Sequence, residues 1–306
     1  MEISAVQAAL RTVVVIPITP FTTDGAVDYA AYRRLVERLV AGGLSAITIN
    51  GNASEYYSLT PDEARRLLDE TLDVVAGRAV VLTGVGQDAL SAGQAARYAQ
   101  QAGAQGIMIH QPVHPFRSLE GWVAYHQQVA EAAPELAVVP YLRDAGINAA
   151  TLTALLDACP NVAAVKYAVN DPLQFSTLLA DVGADRLAWI CGVAELWAPF
   201  FWAGGAQGFT SGLANVLPEI ALDMLHSLQA GDAAGARRAW ALARPFEALR
   251  ARRSSANNVS VIKEALAQLG VCERTVRPPI SELPTNERAE VTTILSTWGV
   301  AAHAAA

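Results

Sequence analysis

Short apolar runs rich in β-branched residues recur along the chain, and each is followed by a segment whose apolar positions repeat with helical spacing. This alternation predicts a parallel sheet, because parallel neighbours are joined by crossover connections that usually contain a helix. Eight runs predict eight strands. They are TVVVIPI from Thr12, LSAITIN from Leu44, AVVLTG from Ala79, QGIMIH from Gln105, LAVVPY from Leu136, VAAVKY from Val162, LAWICG from Leu187 and AQGFTS from Ala206.

The predicted strands are apolar on both faces, so they do not suit a sheet with one face in water. They suit a closed barrel wrapped by helices, and we predict an α/β fold of the (β/α)8, or TIM-barrel, class. A doubly wound open sheet is the alternative, but no GxGxxG motif follows the first strand. Between the strands, Thr60 and Pro61 predict a helix start, and Gly42, Gly43 and Gly103 predict helix ends.

After Gln229 the strand-like runs stop, and only helical patterns remain. We therefore predict that residues 1–229 form the barrel and that residues 230–306 form a C-terminal helical domain. The helical patterns of this domain cover residues 232–252, 258–269 and 286–298.

Composition and charge disfavour several classes of partner. The net charge is -7, and no cluster of basic residues interleaved with aromatics appears, so we do not expect binding to nucleic acid. The amino terminus does not resemble a secretory signal, and no apolar run approaches membrane-spanning length, so we expect a cytoplasmic protein without a membrane partner. Cys159, Cys191 and Cys272 are odd in number and far apart, which favours buried free thiols over disulfides or a CxxC metal site.

Lysine is rare in this chain, because only Lys166 and Lys263 among the 22 basic residues are lysine. Lys166 lies inside the apolar run VAAVKYAV, at the carboxyl end of the sixth predicted strand, where barrel active sites gather. Only an ammonium, and not a guanidinium, can lose its proton near neutral pH and attack a carbonyl, and burial favours that loss. We predict that Lys166 is a nucleophile; the alternative is a lysine that snorkels or pairs with a carboxylate. Lys263, beside Glu264 in a helical segment, is expected to be an ordinary solvated lysine.

The turn after the second strand consists of Gly51, Asn52, Ala53, Ser54 and Glu55. Its small side chains and free backbone N–H groups suit the binding of a carboxylate. A tight corner without a ligand is the alternative.

The fifth strand ends at Tyr141 and is followed by Arg143 and Asp144. A phenol next to the strand that carries Lys166 is placed to move protons between a substrate and that lysine. Arg143 suits the binding of a carboxylate, and an Arg143–Asp144 ion pair within the loop is the alternative.

His110 and His114 invite a metal interpretation, with Asp144 or Glu55 as further ligands. An HxxxH pair needs a helix to bring both rings to one face, and Pro112 breaks this segment, so we predict no metal site. The GGAQGFTSG segment lacks the GK[ST] ending of a phosphate loop and is read as the last strand, with a substrate-facing serine.

Taken together, these motifs resemble the dihydrodipicolinate synthase and N-acetylneuraminate lyase superfamily of class I Schiff-base lyases, over nearly the whole chain. The motifs that carry the resemblance are ITPFTTDGAVDYAAYRRLVERLVAGG, GNASEYYSLTPDE, Tyr141, Lys166, GGAQGFTSG, SVIKEALAQLG and VRPPISEL. The resemblance implies a barrel followed by a small helical domain, a homotetramer or dimer, and no cofactor.

The resemblance also implies roles for single residues. Lys166 is implied to be the Schiff-base lysine and Tyr141 the proton-transfer phenol. The carboxylate of a 2-oxo acid is implied to bind the turn at residues 51–55. The other residues that we expect to contact the substrate are Arg143, Asp144, Gly192, Thr210 and Ser211.

Departures from the family pattern bear on the substrate. The usual second loop reads G-[TS]-T-G-E, and here Asn52, Ala53 and Ser54 replace its middle residues, so carboxylate binding relies on backbone N–H groups, with Asn52 or Ser54 as side-chain donors. His114 and Gly146 stand where synthases carry a relay tyrosine and a substrate-binding arginine, which disfavours lysine biosynthesis. The segment Tyr141-Leu142-Arg143-Asp144 resembles the Y-N-R-D stretch of the 5-dehydro-4-deoxyglucarate dehydratase branch.

The sequence therefore predicts a lyase, an aldolase or dehydratase acting on a 2-oxo sugar acid such as 5-dehydro-4-deoxyglucarate. An imine withdraws electrons from the neighbouring bond, so one intermediate permits both C–C cleavage and loss of water. Three alternatives stay open: condensation or cleavage with pyruvate as in the two founding enzymes, a lapsed barrel with a binding or regulatory role, and a metal-dependent lyase or hydrolase.

Overall fold

The computed structural model describes residues 2–300, and within them eight parallel strands form a closed barrel in sequence order. This confirms the predicted (β/α)8 class. Each strand lies within or overlaps its predicted run, although most are shorter; β1 ends before Pro17, which has no N–H to donate to a neighbour. The strands are β1 Val13–Val15, β2 Ala46–Ile49, β3 Val80–Val85, β4 Gly106–Ile109, β5 Ala137–Leu142, β6 Ala164–Tyr167, β7 Ala188–Cys191 and β8 Gly208–Ser211.

The helices cover the outside of the barrel and continue beyond it. Thr60 caps α3 with a reciprocal Thr60–Glu63 capping box, Pro61 is its first residue, and α2 and α4 end at Gly42 and Gly103, as predicted. The helices are α1 Ile3–Ala9, α2 Tyr29–Ala41, α3 Pro61–Val75, α4 Ala89–Ala102, α5 Leu119–Glu131, α6 Ala149–Ala158, α7 Pro172–Val182, α8 Ala194–Ala203, α9 Pro218–Gln229, α10 Ala233–Ser255, α11 Asn258–Gln268 and α12 Thr285–Thr297.

The first helix, α1, was not predicted from the sequence. Its buried Val6 and the following Leu10 pack in one cluster with interior residues of the barrel, among them Val80 and Ala137 at the starts of β3 and β5. The helix therefore closes the amino-terminal end of the barrel, and the opposite end remains for a site.

Helices α10 to α12 match the three helical patterns predicted after Gln229 to within a few residues. The division into a barrel over 1–229 and a helical domain over 230–306 stays a prediction, and residues 301–306 lie outside the described part. Across residues 2–300, none of the helices has the length and apolar character required to cross a bilayer.

Candidate active site

Lys166 and Tyr141 lie side by side on neighbouring strands. The two residues are register partners in the pairing of β6 with β5, so both side chains point to the same face, the barrel interior. The Lys166 Nζ atom lies 4.3 Å from the centre of the Tyr141 ring. Both side chains are buried and line one cavity of about 580 Å³ at the carboxyl ends of the strands.

Burial changes the acid–base behaviour of the Lys166 side chain. Desolvation, and secondly the positive charge of Arg143, lowers the pKa of the Lys166 ammonium from 10.5 to about 7. Gly192 at the end of β7 gives this side chain its room, because a Cβ atom there would lie 2.9 Å from Lys166 Cγ. The lowered pKa favours the neutral amine over the ammonium.

The turn after β2 offers two unused backbone donors to the cavity. Asn52 and Ala53 both line the cavity, and neither of their N–H groups finds an acceptor within residues 2–300. The Asn52 side-chain amide donates to the Tyr141 hydroxyl over 3.3 Å. Two adjacent N–H groups beside a buried amine suit the carboxylate of a 2-oxo acid.

Three residues of the same turn, Gly51, Ser54 and Glu55, do not line the cavity. Their contact with the substrate stays a prediction. The Ser54 hydroxyl donates to the Pro17 carbonyl over 2.6 Å and accepts the Gly51 N–H over 3.2 Å. Gly51 packs so closely on Ile16 that a Cβ atom would lie 2.6 Å from its methyl group. Glu55 is buried and turned towards the C-terminal helices. The local pattern could not show this, because these contacts come from distant segments.

Lys263 is wrongly predicted as a solvated lysine. Its side chain is fully buried, and its Nζ atom lies 2.5 Å from Glu55 Oε1 and 2.7 Å from the Thr275 carbonyl. The second oxygen of Glu55 accepts the N–H of Arg277 over 2.9 Å. Burial lowers the pKa of the Lys263 ammonium, while the Glu55 charge raises it. The pair fastens α11 to the turn after β2.

Arg143 lines the cavity as a cation without an ion-pair partner within residues 2–300. Its expected neighbour Asp144 is instead paired with Arg117 over 2.6 Å and accepts the Gly146 N–H over 2.9 Å. The alternative of an Arg143–Asp144 loop pair is therefore wrong. Asp144 does not line the cavity, and its contact with the substrate stays a prediction. Arg143 remains free to hold an anionic group.

The ends of β7 and β8 contribute to the wall of the cavity. Gly192, Thr210 and Ser211 line it, and their contact with the substrate stays a prediction. The Ser211 hydroxyl donates to Glu195 on α8 and accepts the Ala214 N–H. Glu195 was not predicted; burial, and secondly the charge of Glu247, raises the pKa of its carboxyl group to about 8.

Residues of the C-terminal helices also line the cavity, and the sequence did not identify them. Glu247 and Arg250 lie on α10, and Asn258 begins α11. Charged residues three apart on a helix usually belong to a solvated face, so no local signal distinguished this buried pair from a surface pair.

The histidines do not form a metal site. His110 is buried, contacts the Asn50 carbonyl at 2.8 Å and stacks on Tyr56, and burial lowers the pKa of its imidazole to about 4. His114 contacts the Phe116 carbonyl in an exposed loop. Among residues 2–300 no group of three or more His, Cys, Asp or Glu is arranged to hold a metal ion.

The cavity thus combines a buried amine, a phenol, a cation and two N–H groups that have no acceptor in the described part of the chain. A further cavity, of about 490 Å³, lies outside the barrel between α8, α9 and α10, but it is mainly apolar and contains no lysine. Of these two cavities, the one at the barrel mouth contains the buried lysine.

Comparison with known proteins agrees with this geometry. The model of the dihydrodipicolinate synthetase family matches residues 9–298. A protein of Methylobacterium radiotolerans named "Probable 5-dehydro-4-deoxyglucarate dehydratase" is 33% identical over 283 residues, which cover 91% of this chain and 92% of that protein. The 4-hydroxy-tetrahydrodipicolinate synthase of Salinibacter ruber is 34% identical and covers 90% of each chain.

Solved structures show the same fold over almost the whole length. The crystal structure of dihydrodipicolinate synthase from Bacillus clausii superposes with a TM-score of 0.93 at 39% identity and covers 96% of this chain and 100% of the other. That of dihydrodipicolinate synthase from Oceanobacillus iheyensis has the same TM-score, 0.93, at 35% identity and covers 97% and 99%.

Proposed function

Because the chain belongs to the dihydrodipicolinate synthetase family of Schiff-base lyases, we propose that it is an aldolase or dehydratase that acts on a 2-oxo sugar acid. The proposed substrate class includes 5-dehydro-4-deoxyglucarate, after which several similar proteins are named. The observation that carries the proposal is that Lys166, a buried amine with a lowered pKa, shares one cavity with Tyr141 and with the backbone N–H groups of Asn52 and Ala53.

The first chemical step is formation of an imine. The neutral Nζ atom of Lys166 adds to the C2 carbonyl of the substrate, and loss of water from the adduct leaves a C=N bond. The C1 carboxylate lies on the Asn52 and Ala53 N–H groups, which hold C2 against the amine. The Tyr141 hydroxyl supplies the proton that the departing oxygen requires.

The imine then permits either of two bond cleavages. Loss of a C3 proton gives an enamine, which expels the C4 hydroxyl as water; cleavage of the C3–C4 bond instead releases an aldehyde. Both paths end with hydrolysis of the C=N bond and return of the amine. Arg143 is proposed to hold the far carboxylate of a dicarboxylic substrate, because it lines the cavity and no carboxylate among residues 2–300 pairs with it.

Product analysis tests the proposal. The protein is incubated with 5-dehydro-4-deoxyglucarate and with a panel of other 2-oxo acids, and the products are identified by mass. A product that has lost water, with or without carbon dioxide, or the two fragments of an aldol cleavage supports the proposal. Absence of turnover on every 2-oxo acid would favour the alternative of a catalytically inactive barrel with a binding or regulatory role.

The remaining alternatives have separate tests. Pyruvate-dependent condensation, as in the synthases, would show as consumption of pyruvate together with an aldehyde. A metal-dependent reaction would stop on chelation, whereas the imine mechanism needs no metal and continues. A homo-oligomer, dimer or tetramer, stays a prediction that a solution mass measurement checks.

A further inference from the structure

A buried ion pair of the C-terminal helices forms part of the active-site wall. Arg250 Nη1 lies 2.5 Å from Glu247 Oε1, and the two side chains are only 6% and 5% exposed. Arg250 also donates from Nη2 to the Asn258 side chain over 2.8 Å and from Nε to the Asn258 carbonyl over 3.1 Å. All three residues line the cavity that contains Lys166.

The barrel is shaped to receive this arginine. Gly212 follows β8 directly, and a Cβ atom there would lie 2.4 Å from Arg250 Nη2. Gly212 does not have a positive φ, so the glycine is required for space and not for its backbone conformation. The guanidinium therefore lies against the backbone beside Ser211.

The chain just after Arg250 is strained. Arg253, Ser254 and Ser255 are consecutive non-glycine residues with φ of 53°, 55° and 69°, in the left-handed region. Ser254 and Ser255 line the same cavity. Such strain costs free energy, persists only where surrounding contacts impose it, and clusters at sites that bind ligands.

The hydrogen-bonding capacity of the pair is only partly used. A guanidinium has five N–H donors, and three are accounted for by Glu247 and Asn258, so two have no acceptor within residues 2–300. Glu247 Oε2 accepts no hydrogen bond within the same residues. The pair therefore offers both donors and an acceptor, while its two charges offset each other.

This combination fits a hydroxyl group better than a second carboxylate. A hydroxyl donates one hydrogen bond and accepts others, so it can use both members of the pair. A carboxylate would be repelled by Glu247, and the unpaired Arg143 is the better site for it.

We propose that Glu247 and Arg250 form the subsite for the hydroxyl-bearing carbons of the substrate and select a polyhydroxylated 2-oxo acid over pyruvate. This inference rests on the proposed function, since the substrate must first be held as an imine on Lys166. The C-terminal helices would thereby determine substrate specificity, while the barrel supplies the reactive amine.

The experiment compares two 2-oxo acids on the intact protein. Borohydride trapping on Lys166 is titrated with pyruvate and with a 3-deoxy-2-oxohexonate, which adds hydroxyls but no second carboxylate. The half-saturating concentration of each is measured for the parent, Glu247→Gln and Arg250→Lys. Glu290→Gln is the matched control, because Glu290 pairs with the exposed side chain of Arg252 away from the cavity. Thermal unfolding monitors the fold of every variant.

We expect the parent to saturate at a lower concentration of the hydroxylated acid than of pyruvate. Glu247→Gln should raise the half-saturating concentration of the hydroxylated acid by roughly tenfold or more, as expected for losing a hydrogen bond to a charged group, and change that of pyruvate by less than about twofold. Glu290→Gln should change neither.

An equal change for both acids, or no change for either, would overturn the inference. If Arg250→Lys does not fold, Glu247→Gln, which keeps the shape of the side chain, decides alone. A parent protein that traps pyruvate without any preference for hydroxyls refutes the subsite but leaves the proposed function standing. No trapping of any 2-oxo acid refutes both.

Discussion

At Tyr141, a phenol lies between the amine of Lys166 and the side-chain amide of Asn52. Burial raises the pKa of the Tyr141 hydroxyl, so the group keeps its proton near neutral pH and serves as a donor. The neighbouring amine of Lys166 has its pKa lowered by the same burial. The same burial thus favours the uncharged form of both groups, as the proposed roles of acid and nucleophile require.

Tyr141→Phe should leave the barrel folded and slow turnover of the true substrate by roughly two to four orders of magnitude. The ring keeps its packing, and loss of the hydroxyl removes one long hydrogen bond, to Asn52, so the stability cost should stay within about 1 kcal/mol. Steady-state rates and circular dichroism on one preparation check this. Turnover within about threefold of the parent would make Tyr141 a packing residue.

The rate of imine formation should rise with pH, because only the neutral amine of Lys166 attacks a carbonyl. Below the pKa of Lys166 the ammonium cannot attack, so the rate of pyruvate trapping by cyanoborohydride should rise with pH around a midpoint of about 7 and then level off. A midpoint near the ordinary lysine pKa of about 10.4 would contradict the effect of burial.

Arg143→Gln should move that midpoint to higher pH. The positive charge of Arg143 is the second cause, after burial, of the lowered Lys166 pKa. Its removal stabilises the ammonium form and therefore raises the pKa of Lys166. The same trapping series measures the shift. An unchanged midpoint would mean that burial alone sets the pKa.

At the scale of elements, the turn after β2 depends on a helix that lies more than 200 residues later in the chain. Glu55 is itself in the left-handed conformation, with φ 58°, and is held there by Lys263 of α11 and by the Arg277 N–H. The Arg277 side chain also binds Glu63 at the start of α3, over 2.7 Å. These contacts set the position of the Asn52 and Ala53 N–H groups.

Lys263→Met should lower the free energy of unfolding by about 3 to 5 kcal/mol, because it leaves the Glu55 carboxylate buried without its ion-pair partner. The double variant with Glu55→Gln should lose less, since no buried charge then remains unpaired. Chemical denaturation measures both.

Arg186→Met is the matched control for this prediction, because Arg186 pairs with Asp157 on the surface, where the two side chains are 40% and 68% exposed. Its cost should stay below about 1 kcal/mol. A comparable cost for Lys263→Met would show that the buried pair is dispensable.

Two residues in the loops after β4 and β5 disfavour the condensation reaction of the synthases. Gly146 and His114 occupy positions where the synthases of the family carry an arginine and a tyrosine, and His114 lies in an exposed loop with its ring against the Phe116 carbonyl. We expect no useful condensation of pyruvate with aspartate semialdehyde. Robust formation of the product in a coupled assay would refute this prediction.

Features that depend on neighbouring residues in the sequence were predicted correctly, whereas features that depend on distant segments were not. Strand apolarity, the Thr60 cap and the lysine at the end of β6 are local signals, and they located the barrel and Lys166 correctly. The burial of Lys263 depends on contacts with segments far away in the sequence. The adjacent Glu264 therefore led to the wrong prediction that Lys263 is solvated. The apolar pattern of α1 covers only seven residues, which is too short to predict a helix.

At the scale of the whole molecule, the cavity is assembled from two parts of the chain. The barrel strands supply Lys166, Tyr141 and Ser211, whereas α10 supplies Glu247 and Arg250 and α11 supplies Asn258. Barrel periodicity predicted the first group, because active sites of this fold lie at the strand ends. Nothing in the helical pattern of the tail indicated which of its faces covers the barrel mouth, and the second group emerged only from the structure.

Formation of an imine on Lys166 is the central claim, and peptide mass spectrometry after borohydride reduction tests it most directly. The intact protein is reduced in the presence of pyruvate or a larger 2-oxo acid, and the modified lysine is located. We predict an adduct on the peptide that contains Lys166, and none in Lys166→Arg, whose guanidinium stays protonated. An adduct on Lys263 alone, or none with any 2-oxo acid while circular dichroism shows an intact fold, would contradict it.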